Sequence, residues 1–330
     1  MKVFITGAGG FLGSALARIL RARGDEVTGY ARGHYPHLER LGVHMIRGDV
    51  TAEDALAAAM TGHDIVVHAA AKAGVWGDAR EYWRTNVAGT QAVLNACRKA
   101  GVRRLVFTSS PSVVFTGRDQ HNLDESAPYP AHYEAAYPAS KAAAEKLVLL
   151  ANSPELATVA LRPHLIWGPG DPHIIPRLVA RARAGRLRIV GSGKNLVDTT
   201  FIANAAHAHV LAIDRLAWAQ PIAGRAYFIA NGEPMPLWQL ISEIVQAYGL
   251  PPPSRHISAW GASAVGGALE LMYRLLRLTG EPPMTRFVAR ELAKSHWFNL
   301  QAARRDLEYE PRVSVADGLE QLRAALRKGP

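Results

Sequence analysis

Cysteine is nearly absent: Cys97 stands alone in 330 residues. No disulfide can close within the chain, which excludes a cystine-stapled scaffold and agrees with a reducing compartment. No apolar leader precedes the strand-like Lys2-Val3-Phe4-Ile5-Thr6. A secretory signal is therefore not expected, and a cytoplasmic location is. Long uncharged apolar runs are missing too. The most apolar stretch, 259–278, carries Glu270, Arg274 and Arg277, each costly in hydrocarbon, so no transmembrane segment is expected. Repeats and low-complexity tracts do not occur. Acidic residues are in deficit, 28 against 38 basic ones, for a formal net charge of +10. The basic residues are scattered rather than massed, which argues against nucleic-acid binding. What such a surplus does favour is attraction to phosphorylated small molecules, acidic partners or an anionic membrane surface. The content of 48% hydrophobic and 20% charged residues is that of a globular protein of one large or two modest domains.

The chain opens on a short buried-strand pattern at 3–6. Gly7-Ala8-Gly9-Gly10-Phe11-Leu12-Gly13 follows, and then a helical run over 14–23. Strand, glycine-rich turn and helix form a phosphate-binding arrangement. Gly7 permits the tight turn, Gly10 lets backbone approach a pyrophosphate, and Gly13 lets helix lie close to strand. The spacing is Gly-x-x-Gly-x-x-Gly; close packing alone would also use such glycines. A second strand spans 26–30. Dinucleotide folds that bind NAD place a carboxylate near its end, but here Ala31-Arg32 follow and no acid appears until Glu39. Arg32 instead suits a ribose 2′-phosphate, which points to NADP. Strand three, 43–46, leads to Gly48-Asp49-Val50. Asp49 serves either an adenine amino group or the N-cap of a helix near 51–60. Strand four, 64–68, ends in His68-Ala69-Ala70-Ala71, small residues against which a cofactor can lie; His68 reads as structural. Lys72 touches a phosphate or substrate carboxylate, or faces water. A long helix is expected over 80–100. Asn86 inside it costs helix stability, which suggests a hydrogen-bonding task.

Strand five, 103–108, is followed by Ser109-Ser110-Pro111-Ser112 at the strand end where parallel sheets bind ligands. Tyr137-Pro138-Ala139-Ser140-Lys141 then sets a phenol and an ammonium one helical turn apart on one face. A lysine so placed lowers the phenol's pKa, and such a phenol can protonate a developing alkoxide. Solvated helix faces carry the same spacing. Strand six, 156–161, ends in Arg162-Pro163-His164. Strands alternating with helices this often predict an α/β fold with a doubly wound parallel sheet.

Thr6-Gly7-x-x-Gly10-x-x-Gly13, Asp49-Val50, His68-Ala69-Ala70, Asn86-Val87-x-Gly89-Thr90, Thr108-Ser109-Ser110, Tyr137-x-x-x-Lys141 and Arg162-Pro163 resemble, in order and spacing, the extended short-chain dehydrogenase/reductase superfamily. Within it they resemble the 3β-hydroxysteroid dehydrogenase-like branch. Residues 68–77, 111–115 and 161–170 (LRPHLIWGPG) are similar to the 2-alkyl-3-oxoalkanoate reductases of bacterial long-chain olefin biosynthesis. That resemblance implies a Rossmann domain and NADPH-dependent reduction of an α-alkyl β-keto acid to the 2-alkyl-3-hydroxyalkanoate, beside companion enzymes. It implies Tyr137 as proton donor, Lys141 as its partner and ribose ligand, and Ser110 steadying the substrate oxygen, with Ser109 and Ser112 close in sequence. The implied cofactor site comprises Gly7, Gly10, Phe11, Leu12, Gly13, Arg32, Asp49, Val50, Ala69, Ala70, Lys72, Asn86, Tyr137, Lys141 and Pro163. No metal enters it; His164 is within reach of substrate, and a homo-oligomer is expected. A hydroxysteroid or sterol dehydrogenase is the alternative enzyme, and a non-catalytic dinucleotide sensor the alternative of another class.

Beyond the break at 168–172, helices are expected over 174–184 and 202–216, a strand over 187–190, and a strand over 226–229 returning to the main sheet. Residues 1–165 with about 200–232 would form the NADP-binding domain, and 166–199 with 233–330 a smaller, mostly helical substrate-binding region. In 259–278, Val265, Leu269, Met272 and Leu276 fall on one helical stripe and Glu270, Arg274 and Arg277 on the opposite one. A lid with the apolar stripe inward, a partner contact and a membrane-surface helix remain open.

Overall fold

Alternate residues of the first strand enter different apolar layers. Val3 and Ile5 pack into one and Phe4 into the other, as the two-residue period of a strand requires. The same split recurs in the fourth strand, with Ile65 and Val67 against Val66. A sheet buried on both faces follows. The computed structural model describes residues 1–327.

The sheet has seven strands: β1 (Lys2–Thr6), β2 (Glu26–Ala31), β3 (His44–Arg47), β4 (Ile65–His68), β5 (Arg104–Thr108), β6 (Ala157–Pro163) and β7 (Arg225–Ile229). Their spatial order is β7-β6-β5-β4-β1-β2-β3, and every pairing is parallel. The sheet is therefore doubly wound, and β7 returns to it beside β6, as the sequence predicts. Strand order reverses between β1 and β4, the switch point where such sheets open a ligand crevice at their carboxyl ends. Helices α1 (Phe11–Ala22), α2 (Glu53–Met60), α3 (Gly89–Ala100) and α4 (Ala136–Leu150) belong to this half. Leu16 and Leu20 of α1 enter the layer of Val3, whereas Leu56, Val93 and Val148 of α2, α3 and α4 enter that of Phe4.

The later segments give α5 (Ile174–Arg183), α6 (Ile202–Arg215), α7 (Ala259–Leu275) and α8 (Arg286–Ala293). Helix α6 joins α1 in the first layer through Ala205 and Ile213. The strand expected over 187–190 shrinks to Ile189–Val190, paired in parallel with His256–Ile257.

One expectation fails, and one left open is decided. The helix over 80–100 is not uniform: an α turn at Ala79–Tyr82 passes into a π-helical segment at Trp83–Ala88 before α3 begins. Such widened turns re-aim side chains and gather at functional sites. At helix α7 the charged stripe is split: Arg274 and Arg277 are exposed, but Glu270 is not. Glu270 is buried, and its carboxylate accepts from the Arg286 backbone N–H at 2.8 Å and from Arg286 Nε at 2.9 Å. Val265, Met272 and Leu276 are exposed instead. The reason lies in Gly266: a Cβ there would stand 2.7 Å from the Thr285 carbonyl carbon. Ala262, Gly266 and Glu270, spaced i, i+4, i+8, make a narrow seam that lets the 285–286 backbone close in. The single carboxylate on that seam is answered by Arg286.

Candidate active site

The glycine-rich turn links β1 to α1 at the switch point. Gly7 adopts φ +73°, and a Cβ on Gly13 would lie 2.2 Å from the Gly7 carbonyl oxygen. Both positions therefore require glycine for the turn and the close approach. Gly10 is different: its Cβ would meet only that carbonyl, at 3.2 Å, so its outer side is open. Gly10 also precedes α1, with no side chain capping the helix and no acid in its first turn. The unanswered N–H groups and positive helix end thus fit a pyrophosphate.

On one side of this turn lies a depression of about 200 Å³ lined by Arg32, Tyr35, Asp49, Val50, Ala69 and Ala70 together with Gly7 and Gly10. Arg32 has no carboxylate partner among the described residues. The Asp49 carboxylate accepts from Thr51 N (3.0 Å) and Thr51 Oγ1 (2.8 Å). The Thr51 backbone hydrogen bond above all, helped by Arg84 and Arg32, holds its pKa below the usual range. Helix α2 starts at Glu53 after Ala52, so Asp49 is not its N-cap.

On the other side opens a cleft of about 530 Å³, reached by Phe11, Leu12, Gly13, Lys72, Ser110, Tyr137, Lys141 and Pro163. The structure thus brings fourteen of the fifteen expected cofactor residues to one continuous surface. Asn86 stands behind it. Its Oδ1 accepts from Lys72 N (2.7 Å), while Nδ2 donates to Lys72 O (3.1 Å) and Ser140 Oγ (2.9 Å). The π turn aims it there. Thr90 Oγ1 donates to Asn86 O (2.6 Å), so it accepts from His68 Nε2 (3.0 Å); His68 Nδ1 then accepts from Thr6 Oγ1 (2.7 Å). This neutral tautomer agrees with burial, and secondarily the Lys141 charge, pulling the His68 pKa down to about 3. One polar relay therefore ties the end of β1, the end of β4 and α4 together. Lys72 also pairs its ammonium with Glu81.

Pro138 sits in the first turn of α4, where its missing N–H costs nothing, and places Tyr137 and Lys141 on the cleft wall. Burial pushes the Tyr137 phenol up to about 12, with Ser110 opposing. The expected lowering by Lys141 does not occur. The Lys141 ammonium turns to the Thr108 carbonyl at 2.5 Å and lies 4.0 Å from the centre of the Phe107 ring. Burial pulls its pKa down to about 7, against the nearby Glu145 carboxylate. Ser110 Oγ and Ser112 Oγ are 2.9 Å apart, and Ser110 Oγ accepts from Ser112 N at 3.2 Å. His164 borders the cleft, but its Nδ1–H is given to the Asp198 carbonyl and burial keeps the ring neutral.

Two groups escaped the sequence reading. Glu145, one turn after Lys141, is wholly buried and accepts from Arg162 Nη2 (2.7 Å), Arg162 Nε (2.9 Å) and Tyr129 OH (2.6 Å). Burial alone would raise its pKa, but Arg162 and these hydrogen bonds bring it below the usual range. Its i+4 spacing from Lys141 was the available signal. Glu291 of α8 lines the cleft, and burial pushes its carboxyl up to about 7. Nothing near it in sequence announces that place.

The chain is 50% identical to a 2-alkyl-3-oxoalkanoate reductase of Stenotrophomonas maltophilia, over 98% of this chain and 99% of the relative. A protein of the same name from Shewanella oneidensis is 48% identical over 98% of this chain and 86% of its own. Among solved structures, MoeE5 in complex with UDP-glucose and NAD superposes with a TM-score of 0.76 at 26% identity, covering 99% of both chains. Residues 4–258, which run from β1 through the cleft walls to the threshold of α7, match the model of one family. The chain belongs to the 3-beta hydroxysteroid dehydrogenase/isomerase family.

Proposed function

We propose that the protein is an oxidoreductase that reduces the ketone of a 2-alkyl-3-oxoalkanoate to the 2-alkyl-3-hydroxyalkanoate with NADPH. The observation that carries this reading is the meeting of Tyr137, Lys141 and Ser110 in one cleft beside a turn fit for a pyrophosphate. The reductase name borne by relatives about half identical along the whole chain supports the substrate class. The NAD held by a structural neighbour supports a nicotinamide dinucleotide. Arg32, exposed and without a carboxylate partner among the described residues, supports the phosphorylated form.

Gly7, Gly10 and Gly13 with the start of α1 would hold the pyrophosphate, Arg32 the 2′-phosphate, Asp49 the adenine, and Lys141 the nicotinamide ribose. When bound, the dinucleotide supplies the reducing equivalent. The protein's own residues then manage position and charge. Tyr137 stays protonated at neutral pH because burial raises its pKa, so it has a proton to give to the ketone oxygen as negative charge develops there. Ser110 donates a hydrogen bond to the same oxygen, its Oγ held by Ser112. The Asn86 relay holds α4 at a fixed distance from the glycine turn.

The groove lined by Trp76, Tyr82, Arg274, Leu278 and Phe287, about 870 Å³, shares Trp76, Tyr82 and Phe287 with the cleft. Asp78, Glu81, Glu134 and Glu270 line it as well, so the surface it offers to alkyl chains is that of Trp76, Tyr82, Leu278 and Phe287. Steady-state NADPH oxidation with racemic 2-alkyl-3-oxoalkanoates, set beside a panel of 3-keto- and 3β-hydroxysteroids with either cofactor, tests the reading. Turnover of the keto acids is expected. Turnover of steroids alone would move the substrate to the sterol branch. Tight NADPH binding with no turnover of any compound would make the protein a sensor.

A further inference from the structure

The outer face of α7 carries no charge. Glu270 and Arg274 are the only charged residues in Ala259–Leu275; Glu270 is buried, and Arg274 lies at the rim, 5.3 Å from the Trp76 ring. What faces outward is Trp260 (81% exposed), Leu271 (58%), Leu275 (72%) and Leu276 (64%), with Val265 and Met272 between them. Scattered exposed leucines need no explanation, but a continuous apolar face does.

Charge says what kind of surface covers it. Residues 250–290 contain two carboxylates. Glu270 is bound by Arg286 and Glu281 by Arg177. Arg255, just before the helix, Arg274 near its end and Arg277 just past it have no carboxylate partner among the described residues. The helix is thus an apolar bar with free cations at both ends. A second copy fits poorly, because a two-fold contact sets a patch against itself and would bring these arginines together at a desolvated interface. Anionic headgroups with acyl chains beneath them answer both features at once. An exposed tryptophan at the edge of such a face suits the boundary between chains and headgroups. No helix among the described residues is long and apolar enough to cross a membrane, so contact would be with one leaflet.

We infer that α7 lies on an anionic bilayer surface through its outer apolar face. Arg274 in the last turn of the same helix and Leu278 just beyond its end line the groove that joins the catalytic cleft at Trp76 and Phe287. That placement sets the mouth for a long-chain substrate next to the lipid phase. The benefit to catalysis rests on the ketoreductase reading; adhesion itself does not, and is measured without substrate.

The test is co-sedimentation of the NADPH-loaded protein with vesicles of phosphatidylcholine, alone or mixed with phosphatidylglycerol. The protein is expected to pellet with the mixed vesicles and far less with the neutral ones. Leu271→Asp with Leu275→Asp should abolish pelleting. Arg255→Gln with Arg277→Gln should weaken partition to mixed vesicles about fivefold per arginine and leave the weak binding to neutral vesicles unchanged. All of these positions are exposed, so NADPH affinity and turnover of a short, water-soluble keto acid should be kept in each variant. Absence of pelleting, or pelleting that neither substitution pair alters, overturns the inference. So does a wild-type dimer in light scattering that Leu271→Asp with Leu275→Asp converts to monomer, since the face would then be covered by a second copy.

Discussion

Glu145→Gln separates the chemistry of Lys141 from its packing. The carboxylate is buried between Arg162 and Tyr129 and follows Lys141 by one turn of α4. Two effects follow from removing its charge while keeping its shape. The first is on stability. Arg162 becomes a buried cation without a counter-ion, and its Nη1 already lacks a partner. Breaking such a pair costs about 3–5 kcal/mol, which at roughly 2 °C per kcal/mol for a large chain lowers Tm by about 6–10 °C. The second effect is on the ammonium. An i, i+4 separation of about 6 Å at an effective dielectric near 20 gives roughly 2–3 kcal/mol, or about two pKa units. Arg162 already neutralises much of the Glu145 charge, so about one unit is a fair expectation.

The sign is fixed by the charge. Glu145 favours the ammonium, so its loss drops the Lys141 pKa below its value of about 7. Any step that needs the ammonium then fails at lower pH. The alkaline limb of kcat should move down by about one unit. Near pH 8 the variant should be about tenfold slower than wild type, near pH 6 about twofold slower, and below about pH 5 the two should converge. NADPH oxidation followed across that range, below the variant's Tm, measures it. A fall in Tm with an unmoved alkaline limb would refute the reasoning and leave Glu145 as a packing residue.

Tyr137→Phe removes the proposed donor and little else. A general acid is worth about 10²- to 10⁴-fold, so kcat should fall by that order while NADPH binding, read by fluorescence, is unchanged. A variant that keeps most of its turnover would assign the proton to another group, with Glu291 the next in the cleft. Arg32→Ala should raise the Kd for NADPH by tenfold or more and hardly touch NADH. Equal loss for both would remove the basis for NADP preference.

Much of the fold was legible because parallel strands buried on both faces read as short apolar runs between helical patterns. The return of 225–229 to the sheet was legible for the same reason. The glycine turn was legible because its requirements are local: a left-handed φ at Gly7 and a carbonyl 2.2 Å from any Cβ at Gly13. What stayed hidden depends on distant partners. Arg162 comes from β6, 17 positions after Glu145, and nothing local shows that the two meet. Glu291 reaches the cleft only because α8 folds back over it. The helix-propensity cost of Asn86 pointed to a hydrogen-bonding task, but its partners Lys72 and Ser140, 14 and 54 residues away, and the π turn that aims it at them were not legible.

Helix α7 shows a different kind of limit. Turning the apolar stripe inward as a lid, one of the readings left open, assumes that burial follows polarity. Packing decided otherwise. The Ala262–Gly266–Glu270 seam admits another backbone at a distance no leucine stripe would allow, and one arginine suffices to satisfy the one buried acid. Close contact of small residues thus outweighed apolar burial, and the leucines were left outside. Exposing several leucines and a tryptophan on one helix costs solvation free energy at about 25 cal/mol per Å² of apolar surface. Nothing else among the described residues recovers that cost. A surface that does recover it, and that also accepts Arg255 and Arg277, must be apolar in its depth and anionic at its edge.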